Sequence, residues 1–243
     1  MYDICVIGAG PAGISSAVYA ASRGLKTIVL EQKKVGGLLG SVSTVTHYAG
    51  ILADETGESF SLRLKEQAER AGIEIAMEKV VEADLSGAVK RIVTEGTTYE
   101  AKAVIIAAGT TPRKLGIPGE DTFAGRGTGL NPAKDAKKYE GREAFVVGGA
   151  DGAVKEALFL SKYASKVTII HFEDTLGAIP EFTEKVKRTA NMEVRLHSRL
   201  SRIEGEGQAD RIVIEDEHTK EQEWIEAPGC AVYSYAGSTP NTS

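Results

Sequence analysis

Ile4-Cys5-Val6-Ile7-Gly8-Ala9-Gly10-Pro11-Ala12-Gly13, read on to Glu31, decides the fold of this chain. Ile4 to Ile7 has the length and branching of a buried strand. It ends in G-x-G-x-x-G, where each glycine meets a separate need. Gly8 allows a tight turn, Gly10 lets the backbone approach a pyrophosphate, and Gly13 lets helix pack closely on strand. An alanine-rich helical stretch follows from Ile14 through Ala21, closed by Gly24. A second strand, Thr27 to Leu30, then ends on Glu31. Free N–H groups at the helix start would face phosphates, and the Glu31 carboxylate would accept hydrogen bonds from ribose hydroxyls. This order of strand, turn, helix, strand and acid separates the motif from a glycine-rich turn of an ordinary α/β domain. The acid favours an unphosphorylated ribose, as in FAD or NAD, over that of NADP.

The bulk composition narrows the classes further. At 243 residues the chain can bury one full core or two small ones. Apolar content of 42% and charged content of 26% suit a soluble globular protein. A net charge of -5 gives no reason to expect nucleic acid or an anionic membrane as partner. No apolar run reaches the roughly 20 residues of a membrane span, and the N-terminus enters the first strand directly, leaving no room for a signal peptide. A cytoplasmic location is the resulting expectation. Cys5 and Cys230 each sit in apolar, strand-like runs and read as buried structural thiols. There is no C-x-x-C, so neither a zinc knuckle nor a local redox dithiol is available. His171, His197 and His218 show no metal-ligand spacing, and no metal is expected.

Beyond Glu31 the chain shows a glycine-rich loop at Val35-Gly36-Gly37-Leu38-Leu39-Gly40 and a polar segment with His47, Tyr48 and Gly50. Glu58 to Gly72 has helical period, with Phe60, Leu64, Ala68 and Ala71 on one face. Short strands are predicted at 73–76, 79–84, 88–94 and 97–101, then a buried strand from Ala103 to Ala108 that stops at Gly109. Residues 113 to 142, poor in apolar residues, read as a connection between domains. The pattern then restarts: strand Glu143 to Val147, the turn Gly148-Gly149-Ala150-Asp151-Gly152-Ala153, a helix from Val154 to Tyr163 and a strand from Lys166 to Ile170. Later strands fall at 200–203, 211–215, 222–226 and 230–235. Gly109-Thr110-Thr111-Pro112 and Gly237-Ser238-Thr239-Pro240 close two halves built alike. The fold class is α/β: two tandem Rossmann-like (FAD/NAD(P)-binding) three-layer domains, each with a small antiparallel meander. The expected division is 1–112, 113–236 and a return to the first domain beginning at 237–243.

Two such halves, with Gly109-Thr110-Thr111-Pro112-Arg113 and Ile117-Pro118-Gly119-Glu120 after the first, resemble the low-molecular-weight thioredoxin reductase family over the whole chain. Gly36-Gly37-Leu38, Gly125-Arg126-Gly127 and Val147-Gly148-Gly149 also match its pattern. The resemblance implies FAD in the first domain, a nicotinamide cofactor in the second, and a redox-active C-x-x-C on the second domain. For FAD it implies contacts from Gly8, Gly10, Pro11, Ala12, Gly13, Glu31, Gln32, Gly36, Gly37, Leu38, His47, Val81, Ala108 and Gly109.

The departures from that pattern shift the functional expectation. The positions of the C-x-x-C hold Asn131-Pro132-Ala133-Lys134, followed by the family's acid, Asp135. A thiolate is the nucleophile of disulfide exchange, and neither an amide nor an ammonium replaces it, so thioredoxin reduction by this chain alone is not expected. Asp135, without a thiolate to protonate, reads as a surface acid or cap. Ala150 stands where the second site needs its middle glycine. His171 holds the place of Glu31, and Phe172 and Glu173 replace the two arginines that the family's NADPH users set at the 2′-phosphate. An anion there disfavours NADPH, while Glu173 or His171 can still reach the ribose of NADH. His47, where the family has a flavin-contacting Asn, can hydrogen-bond the flavin or simply hold its loop. The family's final segment, with a Gly-Asp for the ribityl chain, does not follow Pro240-Asn241-Thr242. A flavin lacking that wall is expected to be more exposed, more weakly bound or held by a partner, and an unfinished sheet edge favours a homodimer.

Two readings follow. One is an FAD-dependent oxidoreductase without its own dithiol, fed by ferredoxin, another carrier or NADH, and passing electrons to a redox carrier protein or small molecule. The other is a non-catalytic flavin-binding or empty scaffold with a role in assembly or regulation.

Overall fold

In the computed structural model, which describes residues 1–129 and 131–242, the chain forms two compact units. One comprises Met1–Thr111 and Pro240–Ser243, the other Pro112–Thr239. Ser243, the last residue assigned to the return segment, lies outside the described residues.

The first unit contains β1 (Tyr2–Ile7), α1 (Pro11–Ser22), β2 (Thr27–Leu30), α2 (Gly57–Arg70), β3 (Glu74–Ala76), β4 (Val80–Asp84), β5 (Lys90–Thr94) and β6 (Thr98–Ile106). Its sheet runs β3-β2-β1-β6-β5-β4, parallel from β3 to β6 and antiparallel from β6 to β4. One face packs Val6 and Val29 against Ile14 and Ala17 of α1 and Phe60 and Leu64 of α2. The other packs Cys5, Ile28 and Leu30 against Ile92 of β5 and Val80 and Tyr99 of the meander. This alternation along each strand produces the three layers. Ala71 is exposed beyond the end of α2, so the buried stripe of that helix is Phe60, Leu64 and Ala68.

The two strands expected at 97–101 and 103–108 are one nine-residue strand, β6. Its first half pairs with β5 and its second with β1, and Ala101 is shared by both ladders. Lys102, which looked like a break, points outward to Asp3 at 2.7 Å.

In the second unit, β8 (Glu143–Val147), α4 (Asp151–Leu160), β9 (Lys166–Ile170), α5 (Pro180–Arg188), β10 (Met192–Arg195) and β14 (Ala231–Ser234) build a parallel sheet in the order β10-β9-β8-β14 with helices on one face. A separate meander, β11 (Ser198–Glu204), β12 (Arg211–Asp216) and β13 (Gln222–Glu226), covers the other through Leu200, Ile203, Ile212 and Ile214. Before β8 the short helix α3 (Pro132–Asp135) opens the segment that leads into this sheet. The stretch read as a connection belongs largely to this unit: Phe123 and Ala136 are buried in its cores, and Leu115 and Ile117 pack against one of them. The helix expected from Val154 starts at Asp151, and α5 and β10 had no counterpart in the sequence reading. Where the chain crosses between units, β7 (Thr110–Pro112) and β15 (Ser238–Pro240) pair as a two-stranded ribbon.

Candidate dinucleotide-binding site

At the carboxyl end of β1 the Gly8 amide donates to the Leu30 carbonyl at 2.8 Å, which ties the turn between β1 and α1 to the end of β2. Gly8 has φ of 103°, and a Cβ there would lie 2.3 Å from the Ala107 carbonyl oxygen. A Cβ on Gly13 would lie 1.8 Å from the Gly8 carbonyl oxygen, so α1 rests directly on the turn. Gly10, the residue before α1, faces open space: an added Cβ there meets nothing within 4 Å. No side chain caps α1 and Pro11 takes its first position, so the first-turn N–H groups are offered at that opening.

Glu31 is 8% exposed and already bound. One carboxylate oxygen accepts from the Ala9 amide at 2.8 Å; the other accepts from the amides of Lys33 at 2.8 Å and Lys34 at 3.3 Å. A carboxylate offers about four acceptor positions, so three amides leave room for a ribose hydroxyl. The acid thus joins the glycine turn to the loop after β2. That loop returns over the turn, its Gly36 amide donating to the Ala9 carbonyl at 2.8 Å. A Cβ on Gly37 would sit 3.6 Å from the Gly10 Cα. Gly36 (φ of 99°) has no space for a side chain either, because Ser61 of α2 lies against it.

The other predicted contacts scatter more widely. Pro11 and Ala12 open α1, Gln32 is exposed in the loop after β2, and Leu38 is exposed on the 3-10 turn Gly37–Ser41. Gly109 (φ of 67°) is open on its Cβ side. Val81 is 54% exposed where the β4–β5 register shifts. His47 is exposed in a loop with φ of 58°, a left-handed conformation unusual for a residue with a side chain. A residue missed in the sequence reading is Asn241. Its side chain donates to the Ala108 carbonyl at 3.0 Å and accepts from the Thr111 hydroxyl at 2.7 Å, and its amide donates to Gly109 at 3.0 Å. The only signal for it was its place after the second Thr-Pro.

The second unit repeats this turn with different chemistry. Gly148 has φ of 130° and its amide donates to the Ile170 carbonyl at 3.0 Å. Ala150 precedes α4 with φ of -83° and ψ of 172°, close to the -70° and -179° of Gly10. Its methyl group therefore projects where Gly10 leaves open space. His171, 6% exposed, lies against Gly149, and its Nε2 is 3.3 Å from a Glu173 carboxylate oxygen. Phe172 is half exposed beneath the Arg199 guanidinium, 4.5 Å from its ring centroid, and Arg199 pairs with Glu217.

At the former dithiol positions, Asn131 caps α3 by accepting from the Lys134 amide at 3.2 Å. Asp135 accepts from the Asn131 amide and pairs with Lys138 at 2.8 Å, which together hold its carboxyl below the usual range against the opposing effect of burial. Cys5 and Cys230 are fully buried, and burial pushes their thiols up to about 11 and about 12. Both are protonated at neutral pH and neither resembles a redox thiolate. Among the described residues no group of three His, Cys, Asp or Glu is arranged to hold a metal ion, and no helix is long and apolar enough to cross a membrane.

Comparison with known proteins places these features. Residues 2–243 match the family described as pyridine nucleotide-disulphide oxidoreductase. A thioredoxin reductase of Peptoclostridium acidaminophilum is 40% identical over 216 residues, which is 89% of this chain and 69% of that protein. One from Mycolicibacterium smegmatis is 33% identical over 96% of this chain and 75% of its own length. Among solved structures, Lactococcus lactis thioredoxin reductase superposes with a TM-score of 0.93 at 31% identity, covering 99% of this chain and 78% of that one. That of T. acidophilum gives 0.91 at 28% identity over the same shares. The chain belongs to the pyridine nucleotide-disulphide oxidoreductase family, in its thioredoxin reductase-like branch of FAD-binding oxidoreductases, and has no redox-active cysteine pair.

Proposed function

We propose that this chain is an FAD-dependent oxidoreductase that works without a dithiol of its own and draws electrons from ferredoxin, another carrier protein or NADH rather than NADPH. The observation that carries the reading is the contrast between the two turns. The Gly10 side is open, uncapped and bordered by Glu31, whereas the same place in the second unit holds the Ala150 methyl group. The first cradle fits an adenine dinucleotide. Its diphosphate would lie on the first-turn amides of α1, its ribose on Glu31, and the Gly36–Gly37 loop alongside. FAD so held supplies the electron transfer, while the chain binds and orients it. Two one-electron carriers, each oxidised once, supply with two protons the same reduction as one NADH hydride and one proton. Glu173 beside Phe172 opposes a 2′-phosphate, which supports discrimination against NADPH.

We further propose residues 1–112 as the FAD-binding part, 113–236 as a domain of NAD(P)-binding type, and Leu38, His47, Val81 and Gly109 as outlying FAD contacts. Ala150 also supports a second reading, in which the nucleotide domain is a retained scaffold and the chain serves assembly or regulation. The visible spectrum of the purified protein separates the two. A yellow protein that ferredoxin or NADH bleaches without oxygen, and NADPH bleaches far more slowly, supports the enzyme. A colourless protein that takes up no added FAD defeats it.

A further inference from the structure

His197 and His218 are 21 positions apart, a separation that conceals any relation between them along the chain. The fold brings them together. His197 directly precedes β11, and His218 sits in the turn from β12 to β13. His218 Nε2 is 3.1 Å from His197 Nδ1, and the two ring centroids are 4.8 Å apart. The same Nδ1 is 3.3 Å from a carboxylate oxygen of Asp174, in the loop after β9.

Two neutral imidazoles in this contact share one proton, because a lone pair does not face a lone pair at hydrogen-bond distance. Both separations also suit two rings that share one metal ion. With metal–nitrogen bonds of about 2.0–2.1 Å, angles from square to tetrahedral place the nitrogens about 2.9–3.4 Å apart and the ring centroids about 4.5–5.2 Å apart. A cation can therefore take the place of the shared proton with little movement of either ring.

The backbone around the pair is held from both sides. The His197 amide donates to the Glu173 carbonyl at 3.4 Å, and its carbonyl accepts from the Glu217 amide at 2.7 Å. The His218 amide donates to the Asp216 carboxylate at 2.9 Å. His218 is exposed and the His197 side chain is 37% exposed, so an ion in water reaches both. The charge around them favours a cation. Glu173, Asp174, Asp216 and Glu217 adjoin the pair, and the neighbouring cations Arg199 and Lys220 are both drawn to Glu217. His171, by contrast, is buried with its Nε2 turned to Glu173.

We propose that His197 and His218 form a two-imidazole site for a late first-row divalent cation, Zn²⁺ foremost, with water in the remaining positions. Asp174 stands beside the ion and offsets its charge. Imidazole nitrogen suits Zn²⁺, Ni²⁺ and Cu²⁺, whereas Mg²⁺ and Ca²⁺ take oxygen ligands. The bound ion clips the start of β11 to the β12–β13 turn and so stabilises the second unit. None of these residues borders the first cradle, so the site stands apart from the flavin reading.

The test titrates the full chain, freed of any purification tag, with Zn²⁺ by calorimetry, beside His218→Ala and His197→Asn. Asparagine accommodates the left-handed backbone of His197 (φ of 50°), so that variant removes the imidazole without straining the turn. The wild type should take up one equivalent of Zn²⁺ at micromolar concentration, ignore Mg²⁺, and unfold at a higher temperature with Zn²⁺ present. Each variant should bind Zn²⁺ at least about tenfold more weakly and lose the thermal shift. Cu²⁺ on the wild type should show coupling to two imidazole nitrogens by electron paramagnetic resonance. Wild-type affinity in either variant overturns the proposal, as does a copper spectrum without that coupling. Failure to bind below millimolar Zn²⁺ also overturns it and leaves a hydrogen-bonded pair only.

Discussion

Glu31 ties the glycine turn to the loop after β2 through three backbone amides, so it has a structural task besides any contact with ribose. The two tasks separate by substitution. Glu31→Ala leaves those amides without an acceptor and should lower stability by about 1–3 kcal/mol, as well as weaken FAD binding. Glu31→Gln keeps one acceptor oxygen and should cost less stability while still weakening FAD. Thermal unfolding read beside a flavin-fluorescence titration checks both, and unchanged FAD affinity in the two variants would count against the site. The cysteines offer a second residue-scale outcome. With thiols pushed up to about 11 and about 12, Cys5 and Cys230 should resist a thiol reagent at neutral pH until the chain is unfolded. The folded chain keeps these protons where the unfolded chain releases them, so their contribution to stability falls as pH rises above the ordinary thiol range. Denaturant unfolding at neutral pH and at about pH 10 should show that loss.

At the scale of elements, the turn between β1 and α1 combines glycines needed for folding with one needed for a ligand. Gly13→Ala puts a Cβ 1.8 Å from the Gly8 carbonyl oxygen and should destabilise the first unit severely. Gly10→Ala meets nothing in the chain and should fold normally while losing most FAD affinity, thereby copying Ala150. Circular dichroism and flavin content of the two variants should diverge in that order. These glycines were legible in the sequence because a missing side chain is itself the signal. Glu31 was legible as an acid ending β2, but its amide partners were not, since a backbone N–H carries no residue identity. α5 escaped notice because only Phe182 and Val186 are buried on it, too few to display a period. β6 was split at Lys102 because a charged residue between apolar runs looks like a boundary, whereas here it faces outward from a continuous strand.

For the whole molecule, the repeat of closing motifs, Gly109 to Pro112 and Gly237 to Pro240, marked the two-fold plan, and β7 and β15 pair where the chain crosses between units. What the repeat did not disclose was divergence in the architecture of the halves. In the second unit the meander is a sheet apart; in the first it grows from the parallel sheet through β6. Composition correctly described an acidic chain but hid the local concentration of cations between Arg126 and Arg142, because an average erases position.

The undivided course of β6 carries a mechanical consequence. A hairpin hung on its own sheet can peel away while the layer beneath stays closed, but β4 and β5 share their supporting strand with β1. Fraying must therefore travel into the β1–β6 ladder before it can detach the hairpin. Amide hydrogen exchange should find the β5–β6 bonds opening together with β1–β6, whereas the β11–β13 meander should exchange as a cooperative block of its own.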